Sequence, residues 1–137
     1  MSLIIDASLT MTWYFEDEAT QASKDLLDTV ARAGAVAPPL WRIEVANAFQ
    51  SGIRRKRIDA AYRDASLADL GRLPIIIDAD TDAHVWTTTL RLSDRHALTI
   101  YDACYLELAQ RRNLPLATLD QELRAAAHAL GLPLLGA

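Results

Sequence analysis

Leu3-Ile4-Ile5-Asp6-Ala7-Ser8 is the stretch on which the reading of this chain turns. A short apolar run of this kind reads as a buried strand. It begins almost at residue 1, so the first element is already part of the core. Asp6 stands where the strand runs out. In an open parallel sheet, ligands bind just beyond the carboxyl ends of the strands, where the strand order switches. A carboxylate there either begins an active site or caps the next helix.

Working outward, strands and helices alternate. Ser8 or Thr10 can cap a short helix through Met11–Phe15, followed by the acidic Glu16-Asp17-Glu18. A helix is predicted from about Glu18 to Ala33, with Ala22, Leu26, Leu27 and Val30 inward, ended by Gly34. Ala35–Ala37 is a second strand. Pro38-Pro39 leads into a helix over Leu40–Arg54, with Ile43, Ala46, Phe49 and Ile53 at helical spacing. It closes on the basic run Arg54-Arg55-Lys56-Arg57, which either solvates the helix C-terminus or contacts phosphate or an acidic partner. Asp59 caps a helix to about Leu70. Leu73–Asp78 reads as a third strand, β-branched and buried on both faces. Helices follow over Asp80–Leu92 and from near Thr99 to Arg112. Leu114–Thr118 is a fourth strand, Asp120–Leu130 a helix, and Leu132-Pro133-Leu134 an edge strand. This alternation predicts an α/β fold, a three-layer α/β/α sandwich around a short central parallel sheet.

The 137 residues fit a single domain spanning 1–137. No apolar run approaches the roughly 20 residues needed to span a membrane, and no secretory signal pattern opens the chain. Cys104 is the sole cysteine, so an internal disulfide is excluded and a cytoplasmic location is expected. One cysteine and three scattered histidines also lack zinc-ligand spacing. A net charge of −4 argues against a protein that coats nucleic acid by bulk electrostatics. It does not argue against an enzyme that grips phosphate through a metal.

Four carboxylates lie at strand ends or on helices near them, in apolar surroundings: Asp6, Glu44, Asp102 and Asp120. Each also has a plain structural reading. Asp6 is a turn or cap residue. Glu44 is an exposed first-turn glutamate, although Asn47, three residues on, makes that face polar. Thr99 and Asp102 have capping-box spacing. Asp120 is the N-cap of the last helix. Taken together they place like charges around one sheet edge, where two unit charges about 4 Å apart repel by about 4 kcal/mol at an effective dielectric near 20. A hard divalent cation, Mg²⁺ or Mn²⁺, is the simplest counter-charge for such a set. It would lower the pKa of water and stabilise charge on a phosphoryl oxygen. The cluster points to metal-dependent phosphodiester hydrolysis.

The same residues carry a resemblance. Ile4-Ile5-Asp6-Ala7-Ser8, Glu44-Val45-Ala46-Asn47, Leu98-Thr99-Ile100-Tyr101-Asp102-Ala103 and Leu116-Ala117-Thr118-Leu119-Asp120 resemble the motifs of the PIN domain, and more closely those of VapC toxins of toxin–antitoxin pairs. The likeness runs over essentially the whole chain. It implies a Mg²⁺- or Mn²⁺-dependent endoribonuclease, an RNA substrate, inhibition by a cognate VapB-like antitoxin, and a homodimer. By matching positions, Asp6, Glu44, Asp102 and Asp120 are the catalytic and metal-binding acids. Ser8 and Thr118 match small hydroxyl residues that support them, and Asn47 joins this outer set. Many relatives carry a further Asp two residues after the last acid; here Glu122 stands there. Hydrolysis by water needs no 2′-hydroxyl, so products are expected to carry 5′-phosphate and 3′-hydroxyl ends.

Other classes fit less well. A phosphoacceptor signalling domain needs a lysine after a late strand, whereas the only lysines, Lys24 and Lys56, come early. An aspartyl-phosphate phosphatase needs Asp-x-Asp in place of Asp6-Ala7-Ser8. The remaining alternatives are a catalytically inactive binding module of the same fold and a structure-specific nuclease acting on other nucleic acid.

Overall fold

A computed structural model describes residues 2–137. Five short strands, β1 (Ile4–Ile5), β2 (Ala35–Ala37), β3 (Ile75–Ile77), β4 (Leu116–Ala117) and β5 (Leu134–Leu135), form one sheet. Their order is β3-β2-β1-β4-β5 and every pairing is parallel. The helices are α1 (Ala7–Met11), α2 (Gln21–Ala33), α3 (Leu40–Arg54), α4 (Ala60–Leu70), α5 (Thr81–His84), α6 (Leu90–His96), α7 (Ile100–Arg112) and α8 (Gln121–Ala129). With right-handed crossovers, the path from β1 to β3 carries α1–α4 over one face. The return to β4 and β5 carries α5–α8 over the other. The α/β sandwich expected from the alternation is therefore present.

β1 lies at the centre because its apolar pair is flanked on both sides. Ile4 and Ile5 are fully buried, and Ile4 sits level with Val36 on one side and Leu116 on the other. The chain leaves β1 toward β2 and returns to β4, so the strand order reverses at β1. Asp6 follows it immediately. Strands of two or three residues make a narrow sheet, and helical residues such as Phe49, Leu106 and Leu123 complete the core.

Several elements differ from the sequence reading. The first helix is Ala7–Met11 and its N-cap is Asp6, not Ser8 or Thr10; Met11–Phe15 is mostly turn, ahead of a 3₁₀ turn at Glu16–Glu18. α2 starts at Gln21, because Thr20 and Ser23 form a reciprocal capping box. β3 is an edge strand rather than a strand buried on both faces: Ile76 is 63% exposed. A β-branched triplet reads alike at an edge and at a centre, and only the strand order tells them apart. The inward face of α3 is Trp41, Val45, Phe49 and Gly52, while Ile43 is 72% exposed. Two apolar stripes overlap on this helix. Gly52 marks the buried one, since a Cβ there would lie 2.9 Å from the Phe15 ring. The helix expected over Asp80–Leu92 is split by a π-helical turn at Val85–Thr89, in the β-branched run Thr87-Thr88-Thr89.

One buried cluster clamps α7 to the end of β3. Arg111 and Arg112 both donate to the Asp78 carboxylate, at 2.7 and 2.9 Å, and Thr81 Oγ1 donates to it at 2.6 Å. Arg111 also donates to Glu107 at 2.7 Å. Burial alone would raise the Asp78 carboxyl. The hydrogen bonds from Arg111, Thr81 and Arg112 outweigh it and hold the group well below the usual carboxylate range. Stability from this site is present above the unfolded carboxyl pKa of about 4 and falls away as the pH drops below it. Asp78→Asn is expected to destabilise the protein by roughly 3 kcal/mol at neutral pH, because it removes the charged partner of Arg112 and leaves Arg111 with Glu107 alone. Urea denaturation checks this, and an unchanged midpoint would remove the clamp from the account.

Candidate active site

Asp6 sits at the switch point and is held from three sides. Its Oδ1 accepts from the Leu9 amide at 3.0 Å, which caps α1. The Ser8 hydroxyl donates across both carboxylate oxygens, at 2.8 and 2.9 Å. Thr118 Oγ1 donates to Oδ2. Both hydroxyls are themselves oriented by main-chain amides that follow β4. Leu119 N–H donates to Ser8 Oγ at 3.1 Å and Asp120 N–H to Thr118 Oγ1 at 3.0 Å. Every donor here is neutral. Two further bonds tie this corner to α3: Thr10 Oγ1 donates to the Asp6 carbonyl at 2.7 Å, and Trp41 Nε1 donates to Thr10 Oγ1 at 3.0 Å.

Asp120 caps α8 through Oδ1, which accepts from Leu123 N–H at 2.9 Å; among the described residues no hydrogen bond occupies Oδ2. Thr99 caps α7, taking the Asp102 amide at 3.1 Å. For Asp102 and Asp120 the capping and site readings are thus compatible: one amide or one oxygen serves the helix, and carboxylate oxygen remains. Both oxygens of Asp6 already accept hydrogen bonds, and the Ser8 hydroxyl is shared between them. Glu44 is half-buried on α3. Its Oε1 accepts from the Tyr105 hydroxyl at 2.5 Å, and Oε2 has no hydrogen bond among the described residues. The sequence reading gave that supporting place to Asn47. Here Asn47 is exposed and has no hydrogen bond to Glu44 among the described residues. Tyr105 went unnoticed, although it lies three residues after Asp102 and so shares its face of α7.

The electrostatics link these groups. Burial is the main cause that pushes the Asp6 carboxyl up to about 6, and the charge of Glu44 adds to it. Glu44 is raised by burial and by Asp102. Asp102 is raised by burial and then by Asp120 and Glu122. Each acid feels the next, and Glu122 contributes through its field. Among the described residues, every ion pair lies elsewhere: on Arg57, on Arg63, or in the Asp78 cluster. Arg124, one turn into α8, donates instead to the carbonyls of Thr118 and Leu135, at 2.8 and 3.0 Å. The set is loose, for among the described residues no three Asp, Glu, His or Cys side chains form a ready-made metal cage. Its chemistry nonetheless fits a hard cation: all donors are oxygens, and mutual repulsion is uncompensated.

The family model for the PIN domain matches residues 3–129. This chain belongs to the PIN domain family. Ribonuclease VapC3 of Pyrobaculum aerophilum is 26% identical over 97% of the chain and all of its own length. Ribonuclease VapC3 of Mycobacterium tuberculosis is 34% identical over 74% of both chains. Among solved structures, the Pyrobaculum aerophilum protein PAE2754 superposes with a TM-score of 0.63 at 25% identity, over 92% of this chain and 87% of that one. VapC20 of Mycobacterium tuberculosis, described as a sarcin-ricin loop cleaving toxin, gives a TM-score of 0.65 over 90% of this chain and 94% of that one. At 15% identity, the second likeness speaks for the PIN fold alone. No helix among the described residues is long and apolar enough to cross a membrane.

Asp6 responds to pH with the opposite sign to Asp78. A carboxyl raised to about 6 in the folded chain costs stability above that pH, and the cost disappears as the pH falls toward about 4. In metal-free buffer at pH 8, Asp6→Asn is therefore expected to stabilise the PIN domain by roughly 1–3 kcal/mol. The gain should vanish near pH 4. Denaturant melts at both pH values check this; a destabilised Asp6→Asn at pH 8 would contradict the electrostatic picture.

Proposed function

We propose that this protein is a Mg²⁺- or Mn²⁺-dependent endoribonuclease, the toxin of a VapBC-type pair. One contrast carries the reading. Asp78 and Glu107, buried carboxylates of the framework, are paired with arginine. Asp6 is likewise buried, feels the charge of Glu44, and has no ion-pair partner among the described residues. A buried charge without a partner is costly, and carboxyls raised at one place mark functional sites. The VapC names of the relatives support RNA as the substrate and a VapB-like antitoxin as the inhibitor; a homodimer is the assembly this reading carries over from the resemblance in sequence.

In this reading Asp6, Glu44, Asp102 and Asp120 hold the metal. When bound, the metal supplies an acidified water and neutralises charge on the scissile phosphate. Ser8 and Thr118 fix both oxygens of Asp6. Tyr105 fixes Oε1 of Glu44, so Oε2 is available to take a proton from the attacking water. Asp120 presents Oδ2 while Oδ1 remains on the α8 cap. Attack by water leaves 5′-phosphate and 3′-hydroxyl ends.

Purified, antitoxin-free protein is expected to cleave RNA with Mg²⁺ or Mn²⁺ and to lose cleavage with EDTA or in Asp6→Asn. Thr118→Val should retain activity reduced about 10–100-fold, as for residues that orient metal ligands. End-group analysis of the fragments provides the chemical check: a 2′,3′-cyclic phosphate would exclude hydrolysis by water.

A further inference from the structure

The basic run at the end of α3 is not absorbed by the four-acid site, and its cations are not equivalent. Arg57 is already engaged. It donates to Asp17 at 2.8 Å and to Glu18 at 3.0 Å, and its guanidinium lies 4.4 Å from the centre of the Phe15 ring. Arg55 has no ion pair among the described residues and is exposed. Both line a groove of about 420 Å³; Arg54 and Lys56 do not. Ser8 and Asp120 line the same groove, so it opens directly onto the candidate active site. Ala48 and Gly52, both small, form part of its wall. Glu18 also lines it, and it shares Arg57 with Asp17. Arg55 is the one cation of the lining with no ion pair among the described residues.

We propose that this groove carries single-stranded RNA away from the scissile bond and that Arg55 binds a backbone phosphate of that strand. The inference rests on the nuclease reading. The shape and charge agree with a polynucleotide strand. The groove begins at acids suited to a metal-bridged phosphate and ends at a lone guanidinium, whose fork matches phosphate oxygens. From Glu44 to Arg55 along α3 is about 16 Å by helical rise, so the contacted phosphate lies a few nucleotides from the one cleaved. Because the contact is to backbone, it strengthens binding without choosing a base.

The test uses the full chain carrying Asp6→Asn, so that RNA is bound without being cut. A fluorescently labelled single-stranded oligoribonucleotide is titrated at several salt concentrations in this background. Added Arg55→Ala is expected to weaken binding roughly 3–10-fold and to lower the slope of log affinity against log salt by about 0.7, the loss of one phosphate contact to a single strand. Arg55→Lys should recover most of the slope. Arg54→Ala removes the same charge from the same cluster outside the groove and should leave the slope unchanged. Equal effects of Arg54→Ala and Arg55→Ala, or none from either, would overturn the groove assignment. Failure of the wild-type chain to cleave RNA with metal would instead overturn the nuclease reading beneath it.

Discussion

The structure depends on a buried carboxylate held by neutral donors. Asp6 ends the central strand, caps α1, and receives Ser8 and Thr118 from either side of the point where the strand order reverses. Those hydroxyls are in turn fixed by the amides that follow β4. A short network therefore joins β1, α1 and β4, and it leaves a negative charge in a nearly dry position. Fold and candidate chemistry share the same atoms here.

The fold handles its other buried acids differently. Asp78 and Glu107 sit between arginines and clamp α7 to β3. That arrangement stabilises neutral charge and leaves nothing for a ligand. Around Asp6 the neighbours are Glu44 and, through it, Asp102, Asp120 and Glu122. α7 serves both regions, with Asp102 and Tyr105 near its start and Glu107, Arg111 and Arg112 toward its end. The ion-paired end of α7 thereby helps hold its other end, with Asp102 and Tyr105, against α3.

Much of this was legible in the sequence. The alternation of elements predicts the parallel sandwich, and three of the four acids follow apolar strand or cap signals that turned out to mark real helix starts. Asp102 and Asp120 needed no choice between capping and site roles, since the helix takes only an amide of one and a single oxygen of the other. Other features were hidden for physical reasons. Ile75-Ile76-Ile77 has the composition of a central strand, and its edge position comes from long-range pairing. The phase of α3 depends on Phe15 packing against Gly52, a contact between distant segments. Tyr105 looks like a core aromatic in sequence, and it is one; only its hydroxyl, reaching Glu44 on another helix, gives it a second part. Asn47 shares the polar side of α3 with Glu44 but stays in solvent.

The central claim is that the unpaired acids around Asp6 form a divalent-cation site. Calorimetric titration of the metal-free protein with Mn²⁺, without RNA, tests it most directly. The account predicts saturable binding at neutral pH that is weakened strongly by Asp6→Asn and accompanied by proton release near pH 6, where the Asp6 carboxyl is partly protonated. Absence of saturable binding, or binding indifferent to Asp6→Asn, would contradict it.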